Sequence, residues 1–191
     1  MGLNPQVTNL VLVLGFMQIS KKIPFDDPNV LNMVRALYVV SNLIIACIYL
    51  YVQKEINRKN DMTVVKYVEP APMGSGEEGK FVATTVKAYD LSQLRTLWRG
   101  QMMGVGMMAF MHIYLKYTNP LLIQSIIPLK GAFEGNLVKI HLLGYPATGE
   151  LSRPFKAAAG LMGAMQGGEV KTDKKSVEAA ERAGRGGVKD E

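Results

Sequence analysis

The sequence predicts a mainly α-helical membrane protein: three membrane helices, a short re-entrant or partial fourth segment, and a small cytosolic part with short β-rich runs. Three observations predict it. Charged residues make up 20% and hydrophobic residues 48% of the 191 positions, ordinary for a globular chain, yet the charges are unevenly spread. Residues 36–53, 100–115 and 117–129 carry none, and the first twenty side chains carry none either. Uncharged stretches on this scale approach the ~20 apolar residues that cross about 30 Å of hydrocarbon. The pattern argues against a soluble globular enzyme, and against intrinsic disorder in the first two-thirds of the chain.

The first helix is expected over Pro5 to Ile19, about 22 Å long and therefore shorter than the hydrocarbon core. No basic residue precedes it, and Gln18-Ile19-Ser20-Lys21-Lys22 offers no small-residue cleavage site, so it reads as a retained membrane helix. Gln6 stands where N-myristoylation would need Ser or Thr. The second helix is expected over Val30 to Val52, with Asp27-Pro28 as cap and first-turn proline. Arg35 near its start can hold its head at the interface, and Tyr38, Tyr49 and Tyr51 suit the interfacial belts. The tight Lys21–Asp27 connection joins the two as a hairpin.

The third helix begins outside the membrane, where Asp90-Leu91-Ser92-Gln93 has capping-box spacing, and continues to Tyr117 over roughly 40 Å. Asn119-Pro120 ends it. Leu121 to Leu129, broken by Pro128, is too short to span and predicts the re-entrant or partial piece. Val64–Val68, Phe81–Val86 and Leu137–Leu142 read as short β-rich runs, and Asp173 to Gly184 as a short tail helix. The chain thus divides into a transmembrane hairpin (1–53), a cytosolic basic loop (54–90), a long transmembrane helix with its re-entrant segment (91–135), and a basic, partly flexible cytosolic tail (136–191).

Orientation follows the flanking basic residues. The 53–99 loop carries eight (Lys54, Arg58, Lys59, Lys66, Lys80, Lys87, Arg95 and Arg99), against three in 20–35, where Asp26 and Asp27 oppose them. The long loop is therefore expected in the cytosol and the first hairpin turn in the lumen. The tail joins the cytosolic side only if 100–129 enters the membrane and returns.

The net charge of +6, without an RNA-binding module, suits anionic headgroups or ribosomal RNA beside a ribosome. Lys54, Arg58, Lys59, Arg95, Arg99, Lys174 and Lys175 are the candidate contacts. The single Cys47 and the two histidines, His112 and His141, make neither a disulfide nor a cysteine-based zinc site. Gly74-Ser75-Gly76-Glu77-Glu78-Gly79-Lys80 matches a phosphate-binding pattern only in letters. Phe81 stands where a hydroxyl is needed, Glu77 and Glu78 would repel phosphate, and a flexible loop is the better reading.

Met102, Met103, Met107, Met108 and Met111 crowd one membrane helix. Their unbranched thioethers suit recognition of varied client helices, with ordinary packing as the competing reading. Gln101, His112 and Lys116 share one side of that helix with Met108. With Gln18, Asn42 and Gln124 they outline a candidate polar groove open to lipid; the alternative is that His112 and Lys116 only snorkel at a helix end. No acid–base pair or activated nucleophile appears. The chain is not expected to be an enzyme or to need a cofactor.

Lys59-Asn60-Asp61-Met62-Thr63, Lys66-Tyr67-Val68-Glu69-Pro70, Met111-His112-Ile113-Tyr114-Leu115-Lys116-Tyr117-Thr118-Asn119-Pro120 and Val138-Lys139-Ile140-His141-Leu142 carry a resemblance. So do Pro146-Ala147-Thr148-Gly149, Arg153-Pro154-Phe155-Lys156-Ala157 and Lys171-Thr172-Asp173-Lys174-Lys175-Ser176. Together they resemble the fungal endoplasmic-reticulum membrane family that supplies the third component of the SRP-independent targeting (SND) pathway, a family also described as inorganic phosphate transport proteins. The 71–80 loop and the first helix match only in character. The resemblance implies a role in bringing membrane proteins to and into the endoplasmic reticulum membrane. Implied partners are the other SND components, the Sec61 translocon, ribosomes, client transmembrane helices and lipids. It carries over no active-site residue. The competing expectations are a phosphate transporter or its maturation accessory, and a passive translocon scaffold.

Overall fold

The computed structural model describes residues 5–69 and 80–155, together with Glu181. They belong to two compact units, 1–55 with 93–144 and 56–92 with 145–191. The Gly74–Gly79 stretch and the proposed tail helix, with Lys174 and Lys175, lie outside the described residues apart from Glu181.

In the first unit, helix α1 (Pro5–Ser20) is followed by a turn and helix α2 (Pro28–Lys59). The proposed cap holds: the Asn29 amide donates to Asp27 Oδ1 at 2.8 Å, and Pro28 opens the helix where no N–H is needed. Nothing in 29–59 is Gly or Pro, so α2 runs seven residues past the expected Val52. It ends where Arg58 and Lys59 meet the negative end of the helix dipole and Asn60 turns left-handed, at φ 44°. Among the described residues α2 is the one helix both long and apolar enough to cross a membrane unaided.

The inward face of α2 follows steps of four and three: Val34, Tyr38, Ser41, Ile45, Ile48, Val52 and Glu55 are buried or half-buried. That alternation is the 3.5-residue period of a helix-pairing seam. The outward face is more uniformly apolar than the seam, with Met33, Leu37, Leu43 and Leu50 exposed while Ser41 and Glu55 are buried. A water-soluble helix distributes these residues the other way.

Helix α3 (Val86–Ala109) continues as a π-helical turn, Phe110–Tyr114. It lies antiparallel to α2: Tyr49 meets Trp98 edge-on at 5.5 Å, Asn42 meets Gln101, Val34 shares a core with Met108, and Arg35 meets His112. Helix α4 (Pro120–Glu134) completes that core with Leu121 and Leu122, against which Phe16, Ile23, Phe25 and Ile126 pack. Ser20 Oγ donates to the Asn119 carbonyl at 3.4 Å, so the 21–27 turn and the 115–119 turn share one end of this unit.

Several expectations are corrected here. The third helix does not begin with a capping box at Asp90. It starts four residues earlier, as Val86 and Lys87 amides donate to Thr63 and Asp61 carbonyls, and Asp90 is buried inside it. It does not run to Tyr117, because the π turn widens it and Lys116 turns left-handed, at φ 58°. The piece expected over 121–129 is a fifteen-residue helix; Pro128 removes one backbone donor, yet helical bonding continues on either side. Leu137–Leu142 is not a strand. Gly135 breaks the chain, and helix α5 (Asn136–His141) buries Leu137, Val138, Ile140 and His141 at helical spacing. A short β-branched run has no sheet partner there, so burial decides its form.

In the second unit, β1 (Val64–Glu69) pairs antiparallel with β2 (Lys80–Thr85), in register from Val64 opposite Thr85 to Glu69 opposite Lys80. An isolated two-stranded hairpin is marginal. Here aromatic packing supports it: Tyr67 meets Tyr89 edge-on at 5.7 Å, and Tyr89 meets Phe155 at 5.5 Å. Arg153 grips buried Asp90 with both arms, at 2.6 and 2.7 Å, and its guanidinium sits 5.9 Å from the Phe155 ring centre. The Phe155 amide donates to Tyr89 Oη at 2.8 Å. Thr63, through its hydroxyl and its amide, holds the Asp61 carboxyl below its usual range, with Arg153 adding a weaker pull.

Two predictions follow from this latch. Asp90→Asn removes the carboxylate that Arg153 grips with both arms, at a cost of about 3–5 kcal/mol. Accelerated proteolysis around 61–92 and 145–155 in the detergent-solubilised chain would report it. Burial pushes the Tyr89 hydroxyl up to about 12 from 10.0, so the unfolded chain loses that proton first. Stability from this group is full below pH 10 and is lost as pH rises towards 12. Tyr89→Phe is expected to flatten that alkaline loss in a melting-temperature series.

Candidate functional site

The proposed groove residues divide into two bonded groups along the α2–α3 seam. At mid-seam, Gln101 Nε2 donates to Asn42 Oδ1 at 2.6 Å, and Asn42 Nδ2 donates to the Tyr38 carbonyl one turn earlier, at 2.8 Å. Each amide therefore has a partner, which matters wherever water is scarce.

Towards the 115–119 turn, Arg35 Nε donates to His112 Nε2 at 3.0 Å and Arg35 Nη1 donates to Asn32 Oδ1 at 3.2 Å. An accepting Nε2 puts the ring proton on Nδ1, which lies 3.1 Å from the Tyr117 carbonyl and donates to it. The π turn is what aims the ring: it carries His112 from the helix face towards both Arg35 and the returning chain.

The remaining groove candidates are not joined to these groups. Gln18 is exposed on α1, Gln124 is half-buried on α4, and Lys116 is exposed at the left-handed end of the π turn. The structure pairs the polar groups of the seam with one another and does not present one continuous polar lining.

The methionines also divide. Met108 is 1% exposed and belongs to the core, and Met111 packs against it. Met102, Met103 and Met107 face outward, Met103 being 75% exposed. Ordinary packing accounts for the first two, while the other three remain an open thioether surface. Near them the Phe110 and Tyr114 rings stack at 5.3 Å, and both are exposed. Lys54, Arg58, Lys59, Arg95 and Arg99 are exposed near the ends of α2 and the start of the apolar part of α3.

Two groups escaped sequence reading. Arg35 was expected only to reach for the interface, but it is the donor that orders His112. The Asp90–Arg153 pair joins residues 63 positions apart, and no local signal marks it. Among the described residues, no cluster of His, Cys, Asp and Glu is arranged to hold a metal ion.

If the mid-seam bond holds α2 to α3, Asn42→Leu or Gln101→Leu alone strands its partner and costs about 0.5–2 kcal/mol. The double variant is expected to recover most of that loss. A double-mutant cycle of unfolding in detergent measures it.

Comparison with known proteins follows the same residues. The family described as phosphate transport (Pho88) matches residues 3–188. A Saccharomyces cerevisiae protein named SRP-independent targeting protein 3 is 52% identical over 189 residues, covering 99% of this chain and 100% of that protein. A Schizosaccharomyces pombe homolog of the same name is 45% identical over 179 residues, covering 93% and 91%. No solved structure matches. The resemblance read from the motifs is borne out, and the chain belongs to the phosphate transport (Pho88) family, together with these SRP-independent targeting proteins.

Proposed function

We propose that this chain is a multi-pass protein of the endoplasmic reticulum membrane that serves SRP-independent targeting and insertion of membrane proteins, in an insertase-like manner. One observation carries the membrane part of the reading: the helices turn apolar side chains outward and keep Ser41, Asn42, Gln101 and His112 at or near the seam. Val7, Leu10, Val11 and Leu14 of α1, Leu43 and Leu50 of α2, and Met103, Phe110 and Ile113 beyond them are all exposed. An outer surface this apolar needs lipid or a partner to cover it. The targeting part rests on the names of the two relatives.

The same reading has α1, α2, α3 and α4 cross or enter the bilayer in alternating directions. The shared end of the 21–27 and 115–119 turns supports it. An even number of passes brings residues after 135 to the side of 56–92, and the Asp90–Arg153 grip between those segments favours the same outcome. The excess of basic residues in 53–99 makes that side cytosolic. Lys54, Arg58, Lys59, Arg95 and Arg99 would then face ribosomal RNA, headgroups or the Sec61 translocon, as would Lys174 and Lys175.

Insertion itself would use the lipid-facing seam. Helices α1 and α4, at about 24 and 22 Å, are shorter than the hydrocarbon and would thin it locally. A client's polar flank would exchange hydrogen bonds with Asn42 and Gln101 while its apolar helix lies on Met102, Met103 and Met107. A direct phosphate path has less support. Arg35 and Lys116 are the basic residues nearest such a path, and two side chains at one end of the seam do not line a route across the bilayer.

Liposomes holding the purified chain are expected to insert a client with a short translocated end several-fold faster than empty liposomes. No acceleration would sink the insertase reading. If Gln101→Leu and His112→Leu leave the rate unchanged while removal of the basic tail abolishes it, the chain is a scaffold. Protease protection of a tag after Glu191 in sealed microsomes tests the cytosolic tail.

A further inference from the structure

We propose that Arg35, with Lys116, holds the phosphate of an anionic phospholipid headgroup at the end of the α2–α3 seam. The inference rests on the membrane reading above and adds a ligand site to it.

The first argument is one of level. Between Arg35 and Lys54 lie eighteen uncharged residues, and between Arg99 and Lys116 sixteen, His112 among them. At ~1.5 Å per residue these are about 27 and 24 Å, close to the hydrocarbon thickness. Because α2 and α3 are antiparallel, Lys54 and Arg99 lie towards one end of the pair, while Arg35 and Lys116 mark the level of the other. The Arg35–His112 contact at 3.0 Å fixes the second level independently. Exposed Tyr114 and Tyr117 flank it, as aromatic side chains do where hydrocarbon gives way to headgroups. A phospholipid phosphate lies at this depth.

The second argument is one of charge. Both acceptors that hold Arg35, His112 Nε2 and Asn32 Oδ1, are neutral, since His112 accepts at Nε2 and carries its proton on Nδ1. Among the described residues no carboxylate bonds this guanidinium. Asp26 and Asp27 stand in the 21–27 turn at the same end, and Asp27 spends Oδ1 on the Asn29 amide. Lys21 and Lys22 in that turn are exposed as well. The contacts to His112 and Asn32 stiffen the Arg35 side chain and leave both Nη2 hydrogens and one on Nη1 for a further acceptor. A fork fixed in this way is suited to two phosphate oxygens. Lys116 follows His112 by four residues, and its left-handed backbone, at φ 58°, ends the helix at the same interface.

The test uses the full chain in detergent, titrated with phosphatidylserine or phosphatidylcholine and read by native mass spectrometry. One phosphatidylserine is expected to stay bound per chain, in preference to phosphatidylcholine. Arg35→Gln is expected to weaken its retention about five- to tenfold and Lys116→Gln less, whereas Lys66→Gln in β1 leaves it unchanged. Arg35→Lys keeps the charge without the fork and is expected to fall between parent and Arg35→Gln. Equal retention by parent and both Arg35 variants would overturn the site, as would equal retention of the two lipids. Displacement by millimolar inorganic phosphate would also overturn it, by making free phosphate the occupant. Resistance to alkaline carbonate separates the two readings: a chain that stays in the membrane but retains no phosphatidylserine loses only this site. A chain stripped by carbonate loses both.

Discussion

The antiparallel seam between α2 and α3 is the constraint on which the larger unit depends. Two helices that turn apolar faces outward gain nothing from hydrophobic association in lipid, because hydrocarbon solvates those faces as well as a neighbour would. What holds such a pair is side-chain contact and hydrogen bonding. The seam supplies both: Val34 and Met108 in one core, Tyr49 edge-on to Trp98, Asn42 bonded to Gln101, and Arg35 bonded to His112. The polar contacts also fix register. Sliding α3 by one turn would strand both amides and the guanidinium together, so slippage costs far more than any single contact contributes.

The smaller unit is organised by a different kind of contact. Asp90 is 1% exposed and its partner Arg153 is only slightly more open, so neither charge tolerates loss of the other. The grip ties the chain after α5 back to the first turns of α3, and Tyr89 adds a ring contact and a hydrogen bond at the same place. Hairpin, helix start and the 145–155 segment therefore fold as one structure. On the proposed membrane reading, all three would therefore lie on one side.

How much of this was legible in the sequence depended on how local each signal is. α1 and the start of α2 were readable because an apolar run and an Asp-Pro cap act over a few residues. The strands at 64–69 and 80–85 were visible as β-branched runs, though not their pairing. The start of α3 was misread, since Asp90 and Gln93 have cap spacing but Asp90 is taken by an arginine far along the chain. Leu137–Leu142 was misread because β propensity yields to burial when no strand lies alongside. At the candidate site, Gln101, Asn42 and His112 stood out as polar groups in apolar runs. Their partners did not, because pairing across a seam depends on register, and the π turn that swings His112 into place leaves no sequence mark. Three of the five methionines lie open as a recognition surface requires; Met108 and Met111 are packing.

The lengths of the helices carry the last step. α2 has 32 residues, more than the ~20 a bilayer needs, and α3 with its π turn extends beyond its own uncharged stretch. α1 and α4 have sixteen and fifteen residues and do not reach across ordinary hydrocarbon. Because α1 packs against α4, the two short helices lie together, and on the proposed membrane reading any mismatch with the bilayer would be concentrated beside one face of the unit. A membrane thinned on one side presents a lower barrier there to a polar segment in transit. On the proposed reading, the seam's polar pairs, the open thioethers and the short helices would serve one purpose only if the short helices border the seam. The packing of Phe16 and Ile126 against the Val34–Met108 core places them there.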